Sequence, residues 1–331
     1  MSAIITNILI QGRPAMAVST VMMALAASSF IKKISVIEII MIALIGLFMH
    51  YFGFLLNDYF DFKFDKDVLS KKNTPLISGK INKNTILVSV FIFFILTLYL
   101  LYFLHASILS FLIILCSFSF SVVYNAFSKN STLNKFIPEV SLALSISLLC
   151  IAITFIGNYK IETMFIIWVL LVFLILLQLN SVSNGLKDIK TDQLNGAVTF
   201  VIQNKCTYTD YNKLYVSKKV KYYTYALQIL ITAFNLFFIY KFSVPKWIAI
   251  ISITCCIISF WHLKNLLNLD NYTTFHNSHP FLHAYLNFSA SILLLQPQLN
   301  FATSILVTIF FILTLTIPIF HFTNKIIIHG R

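Results

Sequence analysis

Charged residues are scarce in this chain of 331 residues, of which only 11% are Asp, Glu, Lys or Arg. A soluble globular domain carries about 25%, so the shortage excludes an ordinary soluble protein. The five cysteines are odd in number and show no zinc-type spacing, which argues against a zinc site and favours small core residues. Hydrophobic residues make up 59% of the chain, and this surplus predicts a polytopic membrane protein.

Long apolar segments recur along the chain, and a spanning helix needs roughly 20 such residues. Barrel-type alternation is absent, so the segments predict an all-α bundle of nine or ten transmembrane helices. The first apolar stretch lacks a cleavage site and is expected to remain as a helix. The predicted spans are 14–31, 36–56, 86–104, 107–124, 139–157, 163–181, 223–241, 246–263, 281–296 and 302–320. The segment 281–296 is short, and an interfacial position is the alternative for it.

Basic residues are distributed unevenly between the two predicted faces of the membrane. Two polar loops, 57–85 and 182–222, hold most of the lysines, whereas the opposite side collects few. The positive-inside rule therefore predicts that the N-terminus and both loops are cytoplasmic, in a bacterial inner membrane. Apart from these loops, we expect residues 1–331 to form a single membrane domain.

The acidic residues are concentrated in two copies of one pattern, Asn-x-x-x-Asp-x-x-x-Asp. The first copy is Asn57, Asp61 and Asp65, and the second is Asn184, Asp188 and Asp192. Each copy ends a long apolar segment, which indicates two related halves with a site between them. Positions four apart are neighbours on a helix, so each copy is expected to form one polar face. Gly196 is expected to end the second helix, because glycine suits a C-terminal cap.

Carboxylate and amide oxygens in this arrangement suit Mg²⁺, which proteins bind through one or two carboxylates together with waters and substrate phosphates. Two facing clusters could hold ions that bind a diphosphate. The alternative, a solvated charged helix end, is disfavoured because acids at a membrane face are costly and usually functional. His276, His279 and His283 have metal-type spacing, but Pro280 favours a helix start and a polar loop before it.

The two acidic motifs together resemble those of the UbiA-type intramembrane prenyltransferases. Supporting similarities are Gly12-Arg13-Pro14, the stretch Asn73-Thr74-Pro75-Leu76, and Tyr124 followed by Lys129. The second motif continues into Gly196-x-x-Thr199, as in the family. The similarity covers roughly residues 10–300. Thr74 is a departure, since it stands where the family usually has Arg, and Lys71 or Lys72 could replace that phosphate contact.

The resemblance implies a Mg²⁺-dependent enzyme that transfers an isoprenyl group from its diphosphate to an acceptor. It assigns catalysis to Asp61, Asp188 and Tyr124. The implied metal ligands are Asp58, Asp61, Asp65, Asp188 and Asp192. The implied diphosphate-binding residues are Asn57, Asn184, Arg13, Lys72, Lys129 and Lys187. The positive-inside rule would place lysines there in any case, and Tyr124 could equally be an interfacial tyrosine.

The acceptor is expected to be an aromatic quinone precursor, although the motifs are also similar to those of the branch that prenylates glycerol-phosphate lipids. The expected partners are a prenyl diphosphate, this small acceptor and membrane lipid, without nucleic acid or an obligate protein partner. A membrane terpene cyclase of the same fold is one alternative. A cation transporter with repeated Asp sites is another, disfavoured because both motifs open loops and do not lie in mid-span.

Overall fold

Helices account for nearly all of the regular structure in the computed structural model. The model describes residues 2–31, 33–68, 71–129, 133–157, 162–209, 213–268 and 278–296, with 299, 304–305 and 308–309 beyond them. The first helices are α1 (Ser2–Gln11), α2 (Pro14–Ser28), α3 (Val36–Asp65), α4 (Lys83–Phe103), α5 (Ile108–Phe127) and α6 (Phe136–Thr154). A 3-10 turn (Phe155–Gly157) follows, then α7 (Thr163–Gln178), a π-helix (Leu179–Asn184), α8 (Gly185–Leu194) and α9 (Phe200–Gln203). The remainder comprises β1 (Thr207–Tyr208), β2 (Leu214–Tyr215), α10 (Lys218–Lys241), α11 (Lys246–Leu267) and α12 (Ser278–Leu293).

The first nine predicted spans each fall largely on one of these helices. Seven of the described helices are long and apolar enough to cross a membrane, and the bent pair α1 and α2 could make an eighth. The predicted count of nine or ten is therefore not confirmed. Helix α12 has only 16 residues, and the predicted span 302–320 lies almost wholly outside the described residues.

Several helices begin at a polar residue whose side chain caps the backbone. Ser35 forms a capping box with Glu38 at the start of α3, and Asn82, Ser107 and Ser217 cap α4, α5 and α10. Such caps satisfy amide groups that have no partner within the helix. Between α1 and α2 the chain instead turns by 74°. Arg13 adopts a left-handed conformation there (φ 53°), and Pro14 begins α2.

The helices pack in three groups of sequence neighbours: α2 to α4, α5 to α7, and α10 to α12. Contacts of α2 with α6 and of α3 with α5 join the first two groups, and α7 contacts both α10 and α12. Gly46 lets α2 and α3 approach closely, because a Cβ there would lie 3.0 Å from the Cα of Val21. On the outer faces of α4, α10 and α11, large apolar side chains are exposed. Lipid tolerates such a surface, whereas water would not.

The segment after α8 forms a small structured unit outside the main bundle. Strands β1 and β2 form an antiparallel hairpin in which Thr207 pairs with Tyr215. This hairpin is an addition to the predicted all-α fold. Its residues Leu214 and Val216 pack with Val182, Ile189 and other side chains in a second hydrophobic core. That core also includes residues near the ends of α10 and α11, so the second acidic motif is anchored to both.

Candidate active site

The first acidic motif occupies the last turns of α3. Asp58, Asp61 and Asp65 are all buried, with 3%, 3% and 5% of their surfaces exposed, whereas Asn57 is half-buried. The spacing of four therefore produces the predicted polar face. Burying a carboxylate without a partner is costly, so the neighbours of each one show what stabilises the cluster.

Asp58 is held by residues at the bend between α1 and α2. Gln11 and Arg13 both donate hydrogen bonds to its carboxylate, and the Arg13 Nη2 lies 2.6 Å from Asp58 Oδ1. Gln11 Oε1 in turn accepts a hydrogen bond from the backbone N–H of Leu76, at 3.0 Å. The ring of His50 on α3 contacts the Gly12 carbonyl through Nε2 at 2.9 Å. The bend, the end of α3 and the following loop are thus fixed to one another.

The second acidic motif lies across a change of helix type. Asn184 ends the π-helix, and Asp188 and Asp192 follow on α8. Asp192 is buried, whereas the side chain of Asp188 is 54% exposed. Helix α8 ends as predicted, since Gly196 adopts φ +68° two residues after Leu194. Short π-helical segments are rare and occur frequently at functional sites.

Lys129 joins the two motifs. Its Nζ lies 3.2 Å from Asp61 Oδ2 and 3.3 Å from Asp192 Oδ1. Burial lowers the pKa of Lys129, but the carboxylates of Asp61, Asp192 and Asp65 outweigh it and hold that pKa above its ordinary range. The ammonium group therefore stays charged, and the two copies of the motif face each other as the sequence predicted.

The other predicted cations differ in position. Lys71 pairs with Asp65 at 2.5 Å, which supports it as the replacement for the missing arginine at Thr74. Lys187 lies 3.6 Å from the exposed Asp188. Lys72 is exposed and has no ion pair with any described residue, so the structure does not bring it into the cluster.

Tyr124 is half-buried near the end of α5. Its hydroxyl donates a hydrogen bond to Asn180 Oδ1 at 3.2 Å, and the Asn180 amide donates to the carboxylate of Glu139. The sequence had given no role to Glu139. Gln11, His50 and Asn180 were also missed, because a single polar residue in an apolar segment carries no pattern.

The described side chains contain no group of three or more acidic, histidine or cysteine residues converging on one point. The donors present are nevertheless carboxylate and amide oxygens in two facing sets. Asn57 and Asn184 make no side-chain hydrogen bond to any described residue, so their amides remain available. This chemistry fits a hard divalent cation that shares its coordination with substrate oxygens and water.

A histidine metal site was the disfavoured alternative for His276, His279 and His283, and among these the structure describes the side chain of His283 alone. His283 is buried and contacts Gln228 Oε1 at 3.0 Å, and Asn287 also bonds to Gln228 at 3.1 Å. His276 and the side chain of His279 lie outside the described residues. A cavity of about 660 Å³, lined by Phe136, Phe200, Lys219 and other residues, shares no residue with the acidic cluster.

A multi-pass helical bundle that brings two acidic motifs together at one end defines a class of membrane proteins with an acidic site at that end. Comparison with protein families specifies that class. A sequence model of the UbiA prenyltransferase family matches residues 15–278. The chain therefore belongs to the UbiA prenyltransferase family and is an integral, multi-pass membrane protein. No curated protein sequence gives a significant match.

Solved structures show the same fold at low sequence identity. A structure described in work on digeranylgeranylglyceryl phosphate synthase is 19% identical, with a TM-score of 0.64. The match covers 93% of this chain and 99% of that one. A UbiA homolog from Archaeoglobus fulgidus bound to GPP and Mg²⁺ is 16% identical, with a TM-score of 0.64 over 86% of this chain and 99% of that one. The same homolog bound to DMAPP and Mg²⁺ is 15% identical, with a TM-score of 0.63, and the match covers 86% of this chain and 98% of that one.

Proposed function

We propose that this protein transfers an isoprenyl group from a prenyl diphosphate to an acceptor in the membrane, with Mg²⁺ as cofactor. The observation that carries the proposal is the pair of facing acidic motifs joined by Lys129. The family and the Mg²⁺-bound homolog structures support it. Mg²⁺ supplies a Lewis acid that neutralises charge on the leaving diphosphate.

The residues of this chain divide into two sets in the proposed site. Asp58, Asp61, Asp65, Asp188 and Asp192 offer carboxylates to the metal, with Asn57 and Asn184 beside them. Arg13, Lys129 and Lys187 offer positive charge to the phosphates, and Lys71, paired with Asp65, takes the place predicted for Lys72. We assign Tyr124 to the carbon that would become cationic as the diphosphate leaves, because aromatic side chains there would exclude water and stabilise charge.

The proposed acceptor is an aromatic quinone precursor, and we assign the active site to the cytoplasmic face. A second acceptor class is favoured by one observation. The structure described in work on digeranylgeranylglyceryl phosphate synthase matches 93% of this chain. Its name indicates a prenylated glycerol phosphate. Both acceptors carry an anionic group and an apolar body, so they are tested side by side.

The test measures diphosphate release and product formation by the purified protein with Mg²⁺. Prenyl diphosphates of ten to twenty carbons are supplied with a dihydroxynaphthoate, with a prenylated glycerol phosphate or without acceptor. Asp61→Asn and Asp192→Asn are each expected to lower kcat about 100-fold or more, since oriented charges dominate such steps. Asp67→Asn is the matched control, because Asp67 follows the same motif but is exposed.

The outcomes separate the alternatives. A prenylated product formed with one acceptor supports transfer and names the acceptor class. Diphosphate release with a cyclic hydrocarbon and no acceptor would replace transfer with cyclisation. Absence of release with every chain length, together with Mg²⁺ flux in proteoliposomes, would favour a transporter and refute the proposal.

A further inference from the structure

Glu139 is a buried acid that the proposed metal site does not use. It lies on α6 with 6% of its surface exposed and accepts a hydrogen bond from the Asn180 amide nitrogen. Asn180 belongs to the π-helix just before the second acidic motif. Its other amide atom, Oδ1, accepts the hydroxyl proton of Tyr124. Three residues from three helical elements thus form one hydrogen-bonded chain.

The chemistry of these three groups fixes the direction in which each hydrogen bond of the network runs. In its ionised form a carboxylate has only acceptor oxygens, so it faces the NH₂ group of an asparagine and not its carbonyl oxygen, and the Asn180 amide nitrogen does donate to Glu139. The Asn180 amide is therefore held with Nδ2 toward Glu139 and Oδ1 toward Tyr124. Tyr124 then donates its hydrogen to Asn180 Oδ1, which directs the lone pairs of its oxygen away from Asn180.

We propose that Glu139 is a positioning residue that acts through Asn180 to set the hydrogen-bond direction of the Tyr124 hydroxyl. The inference rests on the proposed function, because the direction of the Tyr124 hydroxyl matters where positive charge develops on the substrate. An oxygen lone pair stabilises an allylic cation, whereas an O–H hydrogen pointing at it would repel it. An oriented dipole of this kind contributes most in a buried site.

The substitution Glu139→Gln tests the direction with almost no change in shape. Glutamine can present either a carbonyl oxygen or an NH₂ group to Asn180, so the amide can turn over. In the turned arrangement Nδ2 donates to Tyr124, whose own hydrogen then points into the site. We expect kcat for diphosphate release from geranylgeranyl diphosphate to fall about tenfold, with KM little changed.

A double-mutant cycle separates positioning from a structural role. Tyr124→Phe removes the hydroxyl, so Glu139→Gln should have no further effect on kcat in that background. Asn180→Ala provides a second cycle with the same expectation. If Glu139→Gln lowers kcat equally with and without the Tyr124 hydroxyl, Glu139 acts by another route and the inference is overturned.

A spectroscopic measurement tests the direction of the Tyr124 hydrogen bond independently of enzyme activity. The Raman doublet of tyrosine reports whether a hydroxyl donates or accepts, and subtracting the Tyr124→Phe spectrum isolates Tyr124. We expect a donor signature in the wild type and a shift toward acceptor in Glu139→Gln. An unchanged doublet would overturn the inference even in an active enzyme. A shifted doublet without any prenyl transfer would uphold the hydrogen-bond direction and refute the proposed function.

Discussion

Lys129 is the residue on which the two halves of the site converge. Its ammonium group contacts Asp61 and Asp192 from different helices, and its side chain is only 20% exposed. Removing one partner of a buried ion pair leaves an uncompensated charge, which typically costs about 3 kcal/mol or more. The electrostatic role of Lys129 therefore has a direct consequence for stability.

Lys129→Met is expected to lower the melting temperature of the detergent-solubilised protein in the absence of divalent ions. Millimolar Mg²⁺ should then raise the melting temperature more in the variant than in the wild type, because the ion binds the carboxylates that the lysine has left. Lys72→Met is the control, since Lys72 is exposed. Equal melting temperatures for the two variants would show that the bridge does not stabilise the fold.

The sequence predicted the acidic residues but not what surrounds them. Their spacing of four is visible in any helical projection, and both copies lie on helices as expected. Gln11 contacts Asp58 across 47 positions, and Asn180 contacts Glu139 across 41. Such pairs depend on how distant helices pack. No spacing rule encodes that packing, so these partners became visible only in the structure.

The contact between α2 and α3 shows how a helix pair depends on one missing side chain. A Cβ at Gly46 would lie 2.9 Å from the Cβ of Ala24 and 3.0 Å from the Val21 Cα, so the backbones would have to separate. Gly53 lies two turns further along α3 and has space, because among the described residues a Cβ there would meet only Ser121 Oγ, at 3.6 Å.

Gly46→Ala is therefore expected to destabilise the protein by about 1–3 kcal/mol through overpacking. Gly53→Ala is expected to be neutral or to stabilise by up to about 1 kcal/mol, since alanine favours helix. Thermal unfolding in detergent compares the two directly. Similar losses in both variants would indicate that glycine itself, and not the close approach, matters in α3.

The sequence predicted which segments form helices more fully than it predicted where those helices bend or change type. The apolar segments indicated the helices, because hydrophobic length is a local signal. The 74° bend at Arg13 and the π-helix before Asp188 were not predicted. Both are held by tertiary contacts, such as that of His50 with the Gly12 carbonyl, which local sequence does not contain.

At the scale of the whole molecule, both acidic motifs lie at the same end of the bundle, since Lys129 contacts both. The excess of lysine in the surrounding loops predicts that this end is cytoplasmic. The segment between α2 and α3, which includes Lys33, should then lie on the opposite side. The orientation is a prediction independent of the reaction.

The predicted orientation is tested by three single substitutions in a variant without the native cysteines: Lys72→Cys, Lys213→Cys and Lys33→Cys. All three positions are exposed. A membrane-impermeant maleimide is expected to label the cysteine at position 33 in intact cells, and those at 72 and 213 only after the membrane is opened. The reverse labelling pattern would place the acidic cluster on the outer side of the membrane. Labelling of only one of positions 72 and 213 in intact cells would contradict the shared end.

The ammonium group of Lys129 is a counter-ion, supplied by the protein itself, for the carboxylates of Asp61 and Asp192. The carboxylates of the two motifs are partly neutralised before any metal arrives, so the helices can assemble in a compartment poor in divalent ions. In the proposed reaction, binding of Mg²⁺ would exchange one cation for another, which would weaken retention of the ion between turnovers and ease departure of the spent diphosphate with it.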